Sequence, residues 1–176
     1  MDDAARIAEL EAELAAARAE TRSAFENRAL IYGAIFDELS WEIGEERATD
    51  IMQRAIRARG HEVGKKYRPA VRRGDLEEVG RMFCEGSPCG GALFTPGVEE
   101  GSENRIVLRM ESCPLKDAWT AENRAPEQID RLCAIAAAVD EGTFESAGLD
   151  LTFLDRLGEE GSTHCLLELK RREGTD

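Results

Sequence analysis

The sequence predicts an α+β fold, and three observations point to that class. From Ile7 to Phe83 apolar residues recur at helical spacing. Arg105 to Ser112 alternates apolar and polar, and 149–157 and 164–171 read as two more strands joined by the turn Gly-Glu-Glu-Gly-Ser. One helical segment, opening at Pro126, is inserted among the strands. The expected order is a helical front half, then a small antiparallel sheet with one inserted helix.

Taken in order, Ile7, Leu10, Leu14, Ala17, Thr21 and Ala24 alternate spacings of three and four, the a/d seam of a short heptad helix. Residues 1–24 therefore read as an arm for packing or oligomerisation, 25–171 as the folded domain and 172–176 as a frayed tail. Phe25, Ala29, Tyr32, Phe36, Leu39 and Ile43 mark one face of a helix that begins near Glu20 and is broken by Gly44. Glu45 to Arg59 is the next helix, with Gly60 as its stop, and 61–73 is helical around Gly64 and Pro69. Asp75 is an N-cap, with Glu78 completing a capping-box pattern, for a short helix through Phe83.

Cys-Glu-Gly-Ser-Pro-Cys-Gly-Gly, from Cys84, is a loop by composition. Ala92 to Pro96 reads as a short strand and Val98 to Asn104 as an acidic turn. In the clearest strand, Ile106, Leu108 and Met110 share one face. Ile129, Leu132, Cys133 and Ala136 follow Pro126 at helical spacing, and Gly142 and Gly148 bound a loop.

The 176 residues suit one domain with an appended element. A net charge of −13 argues against nucleic-acid and anionic-membrane partners, which it would repel. The apolar runs are too short to cross a bilayer, and the acidic start Met-Asp-Asp lacks an apolar leader, so a cytoplasmic location is expected. Thiols stay reduced there, so the five cysteines need not pair. Arg and Lys cluster between Arg54 and Arg73. That stretch suits either a carboxylate or phosphate substrate or a solvated helix face.

Cys113 closes the strongest strand, Cys133 sits on the inserted helix, and Cys165 opens the last strand beside His164. Placed at the ends of core elements, the three could converge as metal ligands or as a nucleophilic thiol site, or they could pack as small core residues. Their spacing has no Cys-x-x-Cys signature. On a strand, His164 and Cys165 point to opposite faces, which weighs against a dyad. Asp140, just before Gly142, is a candidate base or a loop cap. No dinucleotide fingerprint, phosphate-binding loop, Gly-x-Ser-x-Gly elbow or His-Glu-x-x-His occurs, which sets aside nucleotide enzymes, serine hydrolases and common zinc proteases.

Arg28 to Leu39, then Ile-Gly-Glu-Glu-Arg-Ala and Arg-Gly-His-Glu-Val-Gly-Lys-Lys-Tyr67, resemble the N-terminal helices of the L-2-amino-thiazoline-4-carboxylic acid hydrolase family. Cys113-Pro114-Leu115, Leu132-Cys133, Val139-Asp140, Gly158 to Gly161 and Cys165-Leu166-Leu167 fit its later pattern, so the resemblance spans roughly 25–171. Cys84 and Cys89 fall outside it.

The resemblance implies a hydrolase that opens a small cyclic amidine carrying a carboxylate, using an activated water or a thiolate. It implies Cys113, Cys133 and Asp140 as catalytic candidates, and Arg57, Arg59 and Tyr67 as substrate-binding ones. It also implies Cys113, Cys133 and Cys165 as ligands to a zinc ion or iron–sulfur cluster; the heptad arm, for its part, points to a homo-oligomer. The chain also resembles ligand-binding sensor modules of the vinyl-reductase type, which would hold a small molecule or metal without turnover. A third reading is an assembly protein that uses the arm to hold a partner.

Overall fold

The computed structural model of the chain describes residues 3–172. Residues 173–176 of the expected tail, and the first two of the arm, lie outside the described residues. The chain runs α1 (Asp3–Ile43), α2 (Glu45–Gly64), α3 (Arg68–Arg72), α4 (Leu76–Glu85), β1 (Pro96–Gly101), β2 (Arg105–Met110), α5 (Pro114–Ala121), α6 (Pro126–Ala147), β3 (Leu149–Asp155) and β4 (Cys165–Arg171). Short 3-10 turns at Lys65–Tyr67 and Pro88–Gly91 complete it. The α+β class holds: the four strands form one antiparallel sheet in the order β1-β2-β4-β3, with helices packed against it.

α1 is one helix of 41 residues, without the fresh start expected near Glu20. The reason is local: no glycine or proline interrupts the Ala-, Glu- and Arg-rich sequence before Gly33. It ends as expected at Gly44, whose φ of 84° an L side chain rarely adopts.

Two other glycines have a different role from the stops and loops expected of them. α2 passes through Gly60, and α6 passes through Gly142. A Cβ at Gly60 would stand 2.2 Å from the Val139 carbonyl oxygen, and one at Gly142 would stand 2.1 Å from that of Arg57. Both glycines let the backbones of α2 and α6 touch. Gly148, with φ 97°, is the true end of α6.

The Asp75 cap forms, its Oδ1 accepting the Glu78 N–H at 2.9 Å. Glu78 itself bonds Arg81, so the box is not reciprocal. The strand expected at 92–96 lies further on, at Pro96–Gly101, where an acidic turn was expected. Strand β1 is an edge, and cross-strand ion pairs stabilise it in place of apolar alternation: Glu99 with Arg109 at 3.1 Å, and Glu100 with Arg105. The Phe94 carbonyl still accepts the Glu111 N–H at 3.1 Å. Helix α5 was not expected from the sequence; Pro114 takes its first position, where a missing N–H costs nothing.

Two apolar cores result. One lies under the sheet, with Val79, Ile106, Leu108, Phe144 and Leu167 buried. The other lies among the helices, with Ala29, Phe36, Trp119, Leu132 and Ile135 buried. The Trp119 indole N–H donates to the Ala29 carbonyl at 2.8 Å and fixes α5 on α1. Among the described residues no helix is long and apolar enough to cross a membrane.

Candidate functional site

A cavity of about 260 Å³ lies where the two cores meet, lined from both. Five of the residues singled out in the sequence reach it: Cys113, Cys133, Asp140, Cys165 and Tyr67. Cys113 is the residue before Pro114, at the junction of β2 and α5. Cys133 and Asp140 are two helical turns apart on α6 and so share a face, with Ala136 and Ala137 between them too small to fill the space. Asp140 therefore lies within the helix rather than capping a loop. Cys165 opens β4 opposite Met110 on β2. Tyr67, in the 3-10 turn after α2, is buried.

The electrostatics set the chemistry. Burial pushes the Asp140 carboxyl up to about 7, with help from neighbouring Glu141 and opposed by Arg28. Burial likewise raises all three thiols. Cys113 is raised despite contacts from the backbone N–H groups of Lys116 and Leu115 and the charge of Arg28. Cys133 is raised by burial and by the nearness of Cys113 and Cys165. Cys165 is pushed up to about 11 by burial, although its Sγ accepts the Leu157 N–H at 3.3 Å. Tyr67 is pushed up to about 12 by burial and then by Asp140, so its hydroxyl keeps its proton.

Three cations line the cavity. The Arg28 guanidinium lies 4.4 Å from the Phe25 ring centroid, and Phe25 meets Phe94 edge-on at 5.4 Å. Lys66 lies 4.8 Å from the Tyr67 ring centroid. Arg156 bonds Asp130 at 3.1 Å and Glu159 at 3.0 Å, and its Nε is buried with no hydrogen-bond partner. Neither Arg57 nor Arg59 is a lining residue. Glu141 and Glu145 hold Arg57, and Arg59 is exposed. Sequence reasoning missed Arg28 in this role. The signal was present: in the heptad count from Ile7, Arg28 takes an a position where an apolar residue is expected.

His164 points elsewhere, with its Nε2 3.5 Å from Asp155, and it does not line the cavity. All five cysteines are free. Among the described residues no three His, Cys, Asp or Glu side chains are grouped so as to hold a metal ion. The trio Cys113, Cys133 and Cys165 shares the cavity but is not such a group. The chemistry available is that of the side chains themselves: an acid–base group near neutrality, a thiol at a helix start, and a cation.

The family model for L-2-amino-thiazoline-4-carboxylic acid hydrolase matches residues 23–169. The chain belongs to this family. Every cavity residue named above falls inside the matched segment, and the first half of α1 falls outside it. No curated protein matches the chain. Among solved structures, this hydrolase-family chain is similar to a trafficking protein particle complex subunit 3 from Naegleria fowleri covalently bound to palmitic acid. The TM-score is 0.56 at 12% identity, covering 84% of this chain and 95% of that one. At that identity the likeness is one of fold.

Proposed function

We propose that this family member hydrolyses a small cyclic amidine of the thiazoline-carboxylate type, with Asp140 as the proton carrier and Cys113 as the attacking thiol. The observation that carries the reading is the cavity itself, in which Asp140 shares one lining with three thiols and Arg28, and burial there pushes its carboxyl up to about 7. A group titrating near the working pH is the efficient general acid–base. Among the three thiols, Cys113 is the one touched by two backbone N–H groups at a helix start and by the charge of Arg28, all of which favour its thiolate.

In the forward step the Cys113 proton passes to ionised Asp140 as sulfur attacks the amidine carbon. The bond from that carbon to the ring sulfur breaks, and the ring sulfur takes the proton from Asp140. Water then adds to the same carbon, releasing an N-carbamoyl amino acid with a free thiol and restoring Cys113. One water is consumed overall. Arg28 holds the substrate carboxylate, and Tyr67 donates from its buried hydroxyl. A cytoplasmic setting belongs to the same proposal, because the thiol must stay reduced.

The test is ring opening of 2-aminothiazoline-4-carboxylate, followed by chromatography of the product. Asp140→Asn should lower kcat/KM by roughly 10²–10⁴-fold, and Cys113→Ala should abolish turnover. Full turnover by Cys113→Ala would overturn the thiol step. An inactive wild type would overturn the assignment.

The walls support a second reading, a binding module without turnover. Val63, Phe83, Met110, Trp119 and Phe153 make the cavity largely apolar, suited to an aliphatic chain such as the Naegleria protein carries. Retention of a fatty acid at stoichiometry, with no ring opening, would favour it.

A further inference from the structure

Along the first half of α1 the apolar seam of Ile7, Leu10 and Leu14 is not packed against the body of its own chain. Every residue from Asp3 to Glu20 is exposed, and the three large apolar residues of the seam stand well out: Ile7 at 57%, Leu10 at 46% and Leu14 at 50%. We infer that this face is covered by a second copy of the same chain, in a parallel, in-register, two-stranded coiled coil over residues 7–24. The inference is independent of the proposed activity.

Three features of the sequence select that occupant and that orientation. First, Ile7 and Leu14 take a positions and Leu10 takes d. In register, like residues stack on like, and a β-branched residue at a followed by leucine at d favours two parallel strands. Second, the flanking charges are self-complementary. In a parallel pair each g residue faces the following e residue of the other helix. Counted from Ile7, Arg6 at g meets Glu11 at e, and Glu13 at g meets Arg18 at e, so all four contacts join opposite charges. Arg6 already reaches an acid on its own helix, Glu9 at 2.7 Å, one residue from the seam. Third, the antiparallel alternative is penalised. There g faces g, which sets Glu13 against Glu20, and the large residues at one end pack on Ala24, Thr21 and Ala17 at the other.

The fold is compatible with this arrangement. Helix α1 stays unbroken from the seam into the body, where Ala29, Gly33 and Phe36 are buried, so the pairing surface is carried on a rigid extension. The same count continues past Arg28 to Ile31 and Ile35, both exposed, which can extend the contact toward the bodies.

The test uses full-length protein and light scattering at micromolar concentration. Wild type should have twice the chain mass. The e-position variant Glu11→Arg/Arg18→Glu makes all four contacts repulsive in a parallel homodimer and should be monomeric. The g-position variant Arg6→Glu/Glu13→Arg should be monomeric for the same reason. Mixed in equal amounts, the two variants should restore the dimer mass, because the unchanged Arg6 and Glu13 of one chain meet the unchanged Glu11 and Arg18 of the other. The reversed pairs match as well. All four sites are exposed, so the far-UV circular dichroism should be that of the folded chain. A monomeric wild type overturns the inference. So does an e-position variant that stays dimeric, since an antiparallel pair keeps its Glu11–Arg18 contacts after that swap. Failure of the mixture to reassemble also overturns it.

Discussion

At the scale of single residues, the cavity combines a carboxyl that resists ionisation with thiols that do the same, and Asp140 is where that combination can be measured. Burial holds its proton up to about 7, whereas an unfolded chain releases it near the ordinary aspartate value. The sign follows from linkage. Below the unfolded value both states hold the proton and the group makes no demand on folding. As pH rises toward 7 the unfolded state ionises first, so stability is progressively lost; the full effect is on the order of 4 kcal/mol as an upper bound. Asp140→Asn cannot ionise, so it should match wild type in melting temperature near pH 4 and exceed it near pH 8. A gap that does not change with pH would show that Asp140 is not buried in this way. Activity runs the opposite way, because the base must be ionised: wild-type kcat/KM should rise through about pH 7. Arg28 opposes the raised value of Asp140, so a substrate carboxylate that neutralises Arg28 should push the kcat profile to higher pH than the kcat/KM profile. Coincident profiles would place the carboxylate elsewhere. These residues were unequally legible. Cys113 and Cys165 were visible because they open regular elements, α5 and β4, whereas Cys133 lies within α6 and was marked only by its helical spacing. Arg28 left only the trace of a charge at a heptad a position, Lys66 was one of many cations in the 54–73 stretch, and Arg156 left none, because only long-range folding brings these helix, turn and loop positions to one cavity.

At the scale of elements, three of the four sheet strands and most helix starts were readable because their determinants are local. Alternation at 105–110, the Asp75 cap and the Pro126 start all lie within a few residues of what they specify. The misreadings at Gly60, Gly142 and β1 share one cause. Gly60 and Gly142 look like breakers in one dimension, and their purpose appears only when two helices meet. Strand β1 is charged because its stability comes from partners on β2. Two substitutions separate these effects. Alanine is intrinsically the better helix former by about 1 kcal/mol, yet Gly60→Ala should destabilise the fold by roughly 1–3 kcal/mol in urea denaturation, because its Cβ meets backbone rather than a movable side chain. A stabilised variant would mean that α2 and α6 do not touch there. Asp75→Ala should cost about 1 kcal/mol through loss of the Glu78 N–H contact. An unchanged urea midpoint would remove the cap from the account.

At the scale of the whole molecule, two packed cores are joined around a hollow, and that hollow makes ligand binding visible as stability. The sequence showed the helices and the sheet but not this space between them, since a cavity is set by which side chains fail to meet. Whatever fills it binds the folded state and not the unfolded one. At a hundredfold excess over its Kd, a ligand should add about 2.7 kcal/mol. For a chain of 176 residues that corresponds to a rise in Tm of roughly 5–10 °C. A substrate-like thiazoline carboxylate should produce such a shift, and the uncharged methyl ester should produce a smaller one. Arg28→Gln should remove most of the difference between the two, whereas Arg57→Gln, altered at a residue that Glu141 and Glu145 hold away from the cavity lining, should leave it intact. Equal shifts for acid and ester in wild type would show that no cation reads the carboxylate. A difference lost in Arg57→Gln but kept in Arg28→Gln would move the binding site to the outer face of α2.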